Sequence, residues 1–421
     1  MQTPTRSAEG GLRSVGFPEV SKNKEVKEMW TIKDKVAIIG MGCCKFGENW
    51  DKGADDMIID ATYEAYEDAG VERKDIQAGW VGTTVSGAGG ITIAAPLKLD
   101  RIPITHVQNF CATGMETLRS ASFAIACGAY DIVLCVGYEK LKDSGLAGLP
   151  AGYIHPVLGV NVTAPGRWAM GATRYFRAYG LSPKEGKETL AKISVKSHYN
   201  GARHPKAHLR REVTLEQVLN APIIAWPLGL FDCCGNTDGA AAAILTRADI
   251  AKSFRDDHVL VKGIGLAIGP SLGKEDGAYD YIHLPETEVA AQQAYEQAGI
   301  KNPRKELDIL ELHDCFSISE LMTLEAIGIC PKGKTKEDID AGTFTLKGEL
   351  PVNADGGLKS FGHPIGASGL RECYEVYKQI QGKAELPERQ LKKEVRLGLS
   401  HNQGGHPGSL LPIITILGRR D

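Results

Sequence analysis

The heptapeptide "AYEDAGV" at residues 65–71 returns as "AYEQAGI" at 294–300, an offset of 229 positions. In both copies a helix-period segment ends at a Gly, placed as a C′ residue, before a short charged link to a strand. The upstream stretches, "DDMIIDATYEAYEDAGV" and "TEVAAQQAYEQAGI", carry that helical period. A repeat on so long a period predicts two similar α/β halves and not a solenoid. Halves related by a pseudo-twofold would bring equivalent strand ends together, and those edges are where α/β sheets place ligands.

Outward from the repeat, strands and helices alternate. The first half reads as strand "KVAIIGMG" (35–42), strand and turn "AGWVGTTVSG", helix "GMETLRSASFAIACG" closed by Gly128, and strand "YDIVLCVGYEK". The second starts again at "HVLVKGIG" and continues through "LDILELHD", the helix "LRECYEVYKQIQG" and the strand "VRLGLSHNQGG". Such alternation predicts parallel βαβ units with both sheet faces covered. The division is an N-terminal arm (1–32), an N-terminal half (33–139 and 226–257), a loop domain (140–225) and a C-terminal half (258–421). The loop domain does not follow the repeat. It carries Trp168, Tyr175, Phe176 and Tyr179 and the basic run "RHPKAHLRR", with Trp226 just beyond it, and an insertion of this size is expected to cover a site. "GMGCCKFG" (40–47) has its third Gly in the wrong place for dinucleotide binding and reads as a tight turn.

Composition narrows the function class. Of 421 residues, 43% are hydrophobic and 24% charged, as in ordinary globular proteins. A net charge of −3 gives no global field for nucleic acid or membrane. "LLPIITILG" is too short to span a bilayer, and residues 1–30 contain no secretory h-region. The ten cysteines include no Cys-x-x-Cys, which points away from a zinc site or a redox dithiol. Most are expected to be buried small hydrophobes in a reducing, cytoplasmic location. His204 and His208 stand four apart, but Pro205 between them argues against a helical metal face, and no metal is assigned.

Four segments carry the groups that do chemistry. Cys111 in "VQNFCATGMETL" precedes a helix whose first residues are small, so the sulfur is exposed and helix N–H groups favour a thiolate. The competing reading is one more buried Cys. "ELHDCFSISE" (311–320) sets His313, Asp314 and Cys315 at a strand end, where Asp314 caps the next helix. "SFGHPIGASGL" (360–370) holds His363 between Gly and Pro at the start of a helix, a candidate base. "HNQGGHPG" (401–408) reads as a Gly-rich turn after a strand, presenting N–H groups to an oxyanion.

Together these four segments resemble the thiolase superfamily, and "HDCF" points to its sterol-carrier-protein-2-type branch. "TLAKISVKSHYNGARHP" and "APIIAWPLGLFDCCGNTDGAAAAIL" are similar to that branch's loop region and its return into the second half. The resemblance covers nearly everything from about residue 33. It implies an α/β thiolase fold, a five-layered αβαβα sandwich of two repeated halves with an inserted loop domain. It implies Cys111 as the nucleophile that carries the acyl group, activated by His363. Most thiolases place a second Cys in a C-terminal Cys-x-Gly loop. Asn402 stands there instead, and the HDCF branch moves that acid/base role to Cys315. His313 is then implied as an enolate stabiliser, with backbone N–H groups of Cys111 and Gly404 as an oxyanion hole.

The implied reaction is cleavage or formation of a 3-oxoacyl-CoA, with coenzyme A as substrate and no covalently bound cofactor. Arg203, Lys206, Arg210 and Arg211 are candidates for the CoA phosphates, against the reading of a solvated basic loop. The chain is also similar to thiolase subunits of anaerobic aromatic catabolism, which suggests an aromatic substrate such as benzoylsuccinyl-CoA, with Trp168, Phe176 and Trp226 shaping the pocket. A homodimer and a small zinc-ribbon/OB-fold partner subunit are the expected assembly. The alternatives are a thiolase-like acyltransferase or aldolase subunit, and a non-catalytic acyl-CoA or lipid binder.

Overall fold

The computed structural model describes residues 30–145, 163–269 and 279–419. Met1–Thr31 and Ile32–Asp421 are separate units. Residues 1–29 of the expected arm, and 146–162 of the expected loop domain, lie outside the described residues. The strands are β1 (Val36–Cys43), β2 (Ala78–Gly82), β3 (Ile104–Val107), β4 (Ile132–Glu139), β5 (Ile223–Ala225), β6 (Leu228–Gly229), β7 (Gly239–Arg247), β8 (Val259–Leu266), β9 (Ile309–Leu312), β10 (Leu397–His406) and β11 (Ser409–Gly418). The helices are α1 (Ala54–Ala69), α2 (Ile91–Leu97), α3 (Thr113–Ala126), α4 (Ala164–Ala178), α5 (Pro183–Ala202), α6 (Leu215–Leu219), α7 (Pro285–Ala298), α8 (Pro303–Glu306), α9 (Ser317–Ala326), α10 (Thr335–Asp340), α11 (Gly357–Ser360) and α12 (Ser368–Gln381).

The repeat governs the topology. The main sheet runs β3-β2-β4-β7-β1-β8-β11-β10-β9. In the first half β1 and β4 each lie antiparallel to β7, while β4 lies parallel to β2. In the second, β8 and β10 lie antiparallel to β11, and β10 parallel to β9. Order and sense are the same. Within the sheet the halves meet where β1 pairs antiparallel with β8, at Ala37↔Leu260 and Ile38↔Val259. The sheet is therefore mixed, not the parallel sheet that alternation predicted, because β7 and β11 return antiparallel between their neighbours.

Helices α3 and α12 pack on each other and on the strands of both halves, forming a central layer. Helix α1 covers β1 and β7 on one outer face, and α7 covers β8 and β11 on the other. These are the five layers. Helices α1 and α7 both end at a left-handed glycine, Gly70 and Gly299 (φ 68° and 81°), as the repeat predicts. The Gly-x-Gly of residues 40–42 proves to be strand, not the expected tight turn. A Cβ on Gly42 would lie 2.0 Å from Ala61 O, and one on Gly265 would lie 1.8 Å from Ala290 O. Both halves thus use glycine so that a helix can lie directly on the strand.

The segment after β4 closes over this frame through α4 and α5. Lys196 of α5 reaches Glu320 of α9 at 2.5 Å, and Lys187 pairs with Asp232, all four buried. Trp168 and Phe176 pack with Phe316, Leu321 and Met322, whereas Trp226 is 56% exposed. These three aromatics therefore do not line one pocket. Two are core and one is surface.

Candidate active site

Glycines bring the two central helices together at their N-terminal ends. A Cβ on Gly114 would lie 2.6 Å from Gly366 O, and one on Gly369 would lie 2.4 Å from Met115 N. Cys111 sits in the turn entering α3, and His363 in the turn entering α12. Phe110 takes φ 49°, and Thr113 Oγ1 pins the turn by accepting from Asn109 N (2.8 Å) and donating to Phe110 O (2.5 Å). His313 comes from the end of β9. The Cys111 sulfur and one ring nitrogen each of His313 and His363 lie within 4.8 Å of one another. The two imidazoles stand edge to face with centroids 5.1 Å apart.

The hydrogen bonds fix the tautomer of His363. Ser368 Oγ donates its one proton to Pro364 O (2.9 Å), so at 2.7 Å from His363 Nδ1 it must accept. Nδ1 therefore carries the proton. Nε2, buried and without a protein partner, keeps a free lone pair. Burial and Arg371 hold this imidazole down at about 3. His313 is also held well below its ordinary value by burial, His363, His401 and Arg371, with Asn402 opposing. Asn402 Nδ2 in turn donates to Glu372 Oε1 at 2.8 Å.

Burial, then the charges of Glu139 and Glu372, push the Cys111 thiol up to about 12. Burial and the neighbouring carboxylates oppose the expected helix-stabilised thiolate and favour a neutral thiol beside a neutral imidazole. Such a pair can pass a proton as the sulfur attacks, without holding free charges beforehand. Cys315 is buried, its thiol likewise pushed well up by burial, with Cys234 and Cys111 the next contributors. Cys234 N donates to Cys315 O at 2.9 Å, and Cys233 pairs with Phe316 across a short antiparallel bridge. Three thiols, Cys111, Cys234 and Cys315, thus share one electrostatic neighbourhood. Cys234 was missed in the sequence although the doublet "CC" was visible.

Gly404 lies within β10, which continues through His406 into a tight hairpin with β11, so the expected Gly-rich turn is strand. A Cβ on Gly404 would meet Asn109 O and Phe110 Cβ at 2.7 Å and Cys111 N at 3.3 Å. The strand backbone therefore rests against the Cys111 turn. Glu139, at the end of β4, accepts from Thr83 Oγ1 (3.0 Å), Val85 N (3.2 Å), Ser86 Oγ (2.6 Å) and Thr84 N. It ties down the loop whose Thr84 hydroxyl lies 3.4 Å from Phe110 O.

Asp314 does not cap α9. Its carboxylate accepts from Lys359 Nζ (2.9 Å) and Leu358 N (2.5 Å), with both charged groups fully buried. The ion pair satisfies a buried charge that a solvent-facing cap could not. The basic stretch does not form one open patch. Lys206 Nζ is held by Glu64 (2.6 Å) and Tyr374 (2.9 Å), and Arg203 stacks on Tyr199 and pairs with Glu212. Arg210 and Arg211 are exposed. His204 is buried against Glu375 and Glu385 beside Arg389.

Comparison with known proteins agrees with this geometry. Residues 36–249 match the family "Thiolase, N-terminal domain", and 278–419 match "Thiolase C-terminal domain-like". The chain is 37% identical over 392 residues to an acetyl-CoA acetyltransferase of Methanothermobacter thermautotrophicus, covering 89% of this chain and 97% of that one. It is 31% identical to sterol carrier protein 2 of Gallus gallus over 88% of this chain and 70% of the relative. Among solved structures, Ltp2-ChsH2(DUF35) aldolase superposes with a TM-score of 0.79 at 26% identity, covering 92% of this chain and 99% of that chain. Human mitochondrial 3-ketoacyl-CoA thiolase shares the fold, with a TM-score of 0.66 at 17% identity over 93% of this chain and all of that one. Among the described residues no helix is long and apolar enough to cross a membrane. With two thiolase family matches spanning most of its length and relatives above 30% identity, this chain belongs to the thiolase superfamily, in its sterol-carrier-protein-2-type branch, and is an acyltransferase of the thiolase type.

Proposed function

We propose that the chain cleaves, or in reverse forms, a 3-oxoacyl-CoA through an acyl group carried on Cys111. The observation that supports this most is the convergence of Cys111, His313 and His363, from three remote segments, within 4.8 Å. In cleavage, Cys111 Sγ attacks the C3 ketone as its proton passes to His363 Nε2. The C2–C3 bond then breaks, leaving an enolate of the departing CoA ester whose oxygen accepts hydrogen bonds from His313 and His363. Cys315 supplies the proton to C2, completing the first product. The resulting thiolate of Cys315 takes the proton of incoming CoA–SH, whose sulfur displaces the acyl group from Cys111, and the Cys111 thiolate so released takes its proton back from His363 Nε2. Backbone N–H groups of Cys111 and Gly404 hold the tetrahedral oxyanion, each worth ~10²–10³ in rate.

CoA itself binds reversibly as substrate, and the exposed Arg210 and Arg211 are the members of the basic stretch left to meet its phosphates. For the acyl group, the relatives named acetyl-CoA acetyltransferase favour a short chain. An aromatic 3-oxoacyl-CoA such as benzoylsuccinyl-CoA is the competing substrate; Trp168 and Phe176 are buried in the cluster that also holds Cys315. The assembly is a homodimer, with a small zinc-ribbon/OB-fold partner suggested by the likeness to Ltp2-ChsH2(DUF35) aldolase. That likeness also favours a second reading, an aldolase that releases an aldehyde or ketone. Thiolysis of straight-chain and aromatic 3-oxoacyl-CoAs separates them. The thiolase reading predicts CoA-dependent turnover that Cys111→Ser abolishes. Turnover without CoA that survives Cys111→Ser sinks it and leaves the aldolase.

A further inference from the structure

The three groups that converge at the active site are a thiol and two imidazoles, the donor set that soft divalent cations prefer. Both imidazoles are buried, which disfavours their charged form, and each keeps a buried ring nitrogen without a protein hydrogen-bond partner, His363 Nε2 and His313 Nδ1. His363 Nδ1–H is anchored on Ser368 Oγ, the kind of outer contact that orients a metal-bound histidine. His313 and His363 are 2% and 1% exposed, and Cys111 is half-buried, so a cation entering past the sulfur would be enclosed on the imidazole side. Donor atoms on a tetrahedral zinc stand about 3.3–3.7 Å apart, given bonds of about 2.0–2.3 Å. From separations of at most 4.8 Å, about 1 Å of side-chain closure reaches that geometry.

We propose that Cys111, His313 and His363 form a Zn²⁺ site with an open fourth position, so that zinc reversibly locks the nucleophile. Binding exchanges the Cys111 thiol proton for the metal, releasing one H⁺ to solvent and forming one S–Zn and two N–Zn bonds, with water in the fourth position and no change of oxidation state. Acylation turns the Cys111 thiolate into an uncharged thioester, a far poorer zinc donor, and bound zinc holds the thiolate that would attack, so zinc and acylation compete. The cation needs only the convergence of the three side chains, which the proposed thiolase reaction also needs. Its binding is therefore read without turnover.

The test titrates the intact chain with Zn²⁺ against a competing fluorescent chelator, and with Co²⁺ for its absorption. The expected result is one site whose Co²⁺ form shows sulfur-to-metal charge transfer in the near ultraviolet. Zinc should suppress alkylation of the Cys111 peptide by iodoacetamide at least tenfold. Cys111→Ser should lose the charge-transfer band while retaining the wild-type circular dichroism, and Ser368→Ala should weaken affinity by about 10–100-fold. Should a variant misfold, proton release on adding Zn²⁺ to the wild-type protein, absent after Cys111 is alkylated, supports the same site. Equal zinc affinity in Cys111→Ser, or undiminished alkylation of Cys111 at saturating zinc, overturns the proposal. Zinc binding without any acyl adduct would sink the thiolase reaction alone, and an acyl adduct without zinc binding would sink this inference alone.

Discussion

Gly404→Ala is the smallest change that pries the site apart. The new methyl group would stand 2.7 Å from Asn109 O, 2.7 Å from Phe110 Cβ and 3.3 Å from Cys111 N. Carbon contacts relax at about 3.5–4.0 Å, so β10 and the Cys111 turn must separate by roughly 0.8 Å or more. Neither side is a flexible side-chain end. Gly404 is paired with Leu411 in the hairpin, and the turn is pinned by Thr113 Oγ1 and by the bond from Ala112 N to Asn109 O (3.0 Å). A displacement near 1 Å at a reacting group costs about 10²-fold in rate, or about 2.7 kcal/mol of barrier. The expected result is kcat for thiolysis of a 3-oxoacyl-CoA reduced about 10²-fold, with KM changed far less. Gly47→Ala is the control, since its Cβ meets only Asn49 Oδ1 at an ordinary 3.5 Å. A Gly404→Ala enzyme within threefold of wild type in kcat would refute the placement of this strand against the nucleophile.

Further outcomes follow from other contacts. Ser368→Ala frees His363 Nδ1, and is expected to lower the rate of acyl-enzyme formation in stopped-flow by about 10-fold or more through loss of the defined tautomer. Cys315→Ala removes the proposed proton donor; rapid-quench mass spectrometry should still find an adduct on Cys111, with turnover down by about 10²–10⁴. Lys359→Met strands the fully buried Asp314 carboxylate and should cost about 3–5 kcal/mol in denaturant unfolding, part of which Asp314→Asn on the same chain restores. Because the Cys111 thiol is pushed up to about 12, its thiolate fraction grows about tenfold per pH unit below that value, so iodoacetamide labelling should climb from pH 7 to 10 without levelling near 8.5. Glu139→Gln removes a negative charge that raises this pKa, so the labelling curve should move to lower pH; a plateau near 8.5 in wild type, or a move upward in the variant, would contradict that electrostatic picture.

What the sequence could and could not reveal has physical causes. The repeated "AYE-x-AG" segment was legible because each copy closes a helix with a left-handed glycine, a local requirement written in one residue. Strand direction was not legible. Whether "GAAAAILTR" lies parallel or antiparallel to its neighbours is decided by pairing with residues about 110 and 200 positions away. The glycines of "GMG" read as a turn because a single chain gives no view of the helix laid across them. Cys111, His313, Cys315 and His363 drew attention in the sequence by residue type at element boundaries, and their proposed roles came from the family resemblance. Their supports Ser368, Glu372, Glu139 and Cys234 were missed because each is an ordinary residue whose meaning comes from what it touches, and Asn402, noticed only as the replacement for a thiol, gains its role from Glu372. Asp314 was misread as a cap because Lys359, its partner, lies 45 positions on.

The central claim is that one sulfur, Cys111, receives the acyl group. The direct measurement is rapid quench of the enzyme with a 3-oxoacyl-CoA in the absence of free CoA, followed by proteolysis and peptide mass spectrometry. The expected result is a thioester mass shift equal to the acyl fragment on the Cys111 peptide alone, discharged on adding CoA. An adduct on Cys234 or Cys315 in its place, or turnover with no adduct on any cysteine, would contradict it.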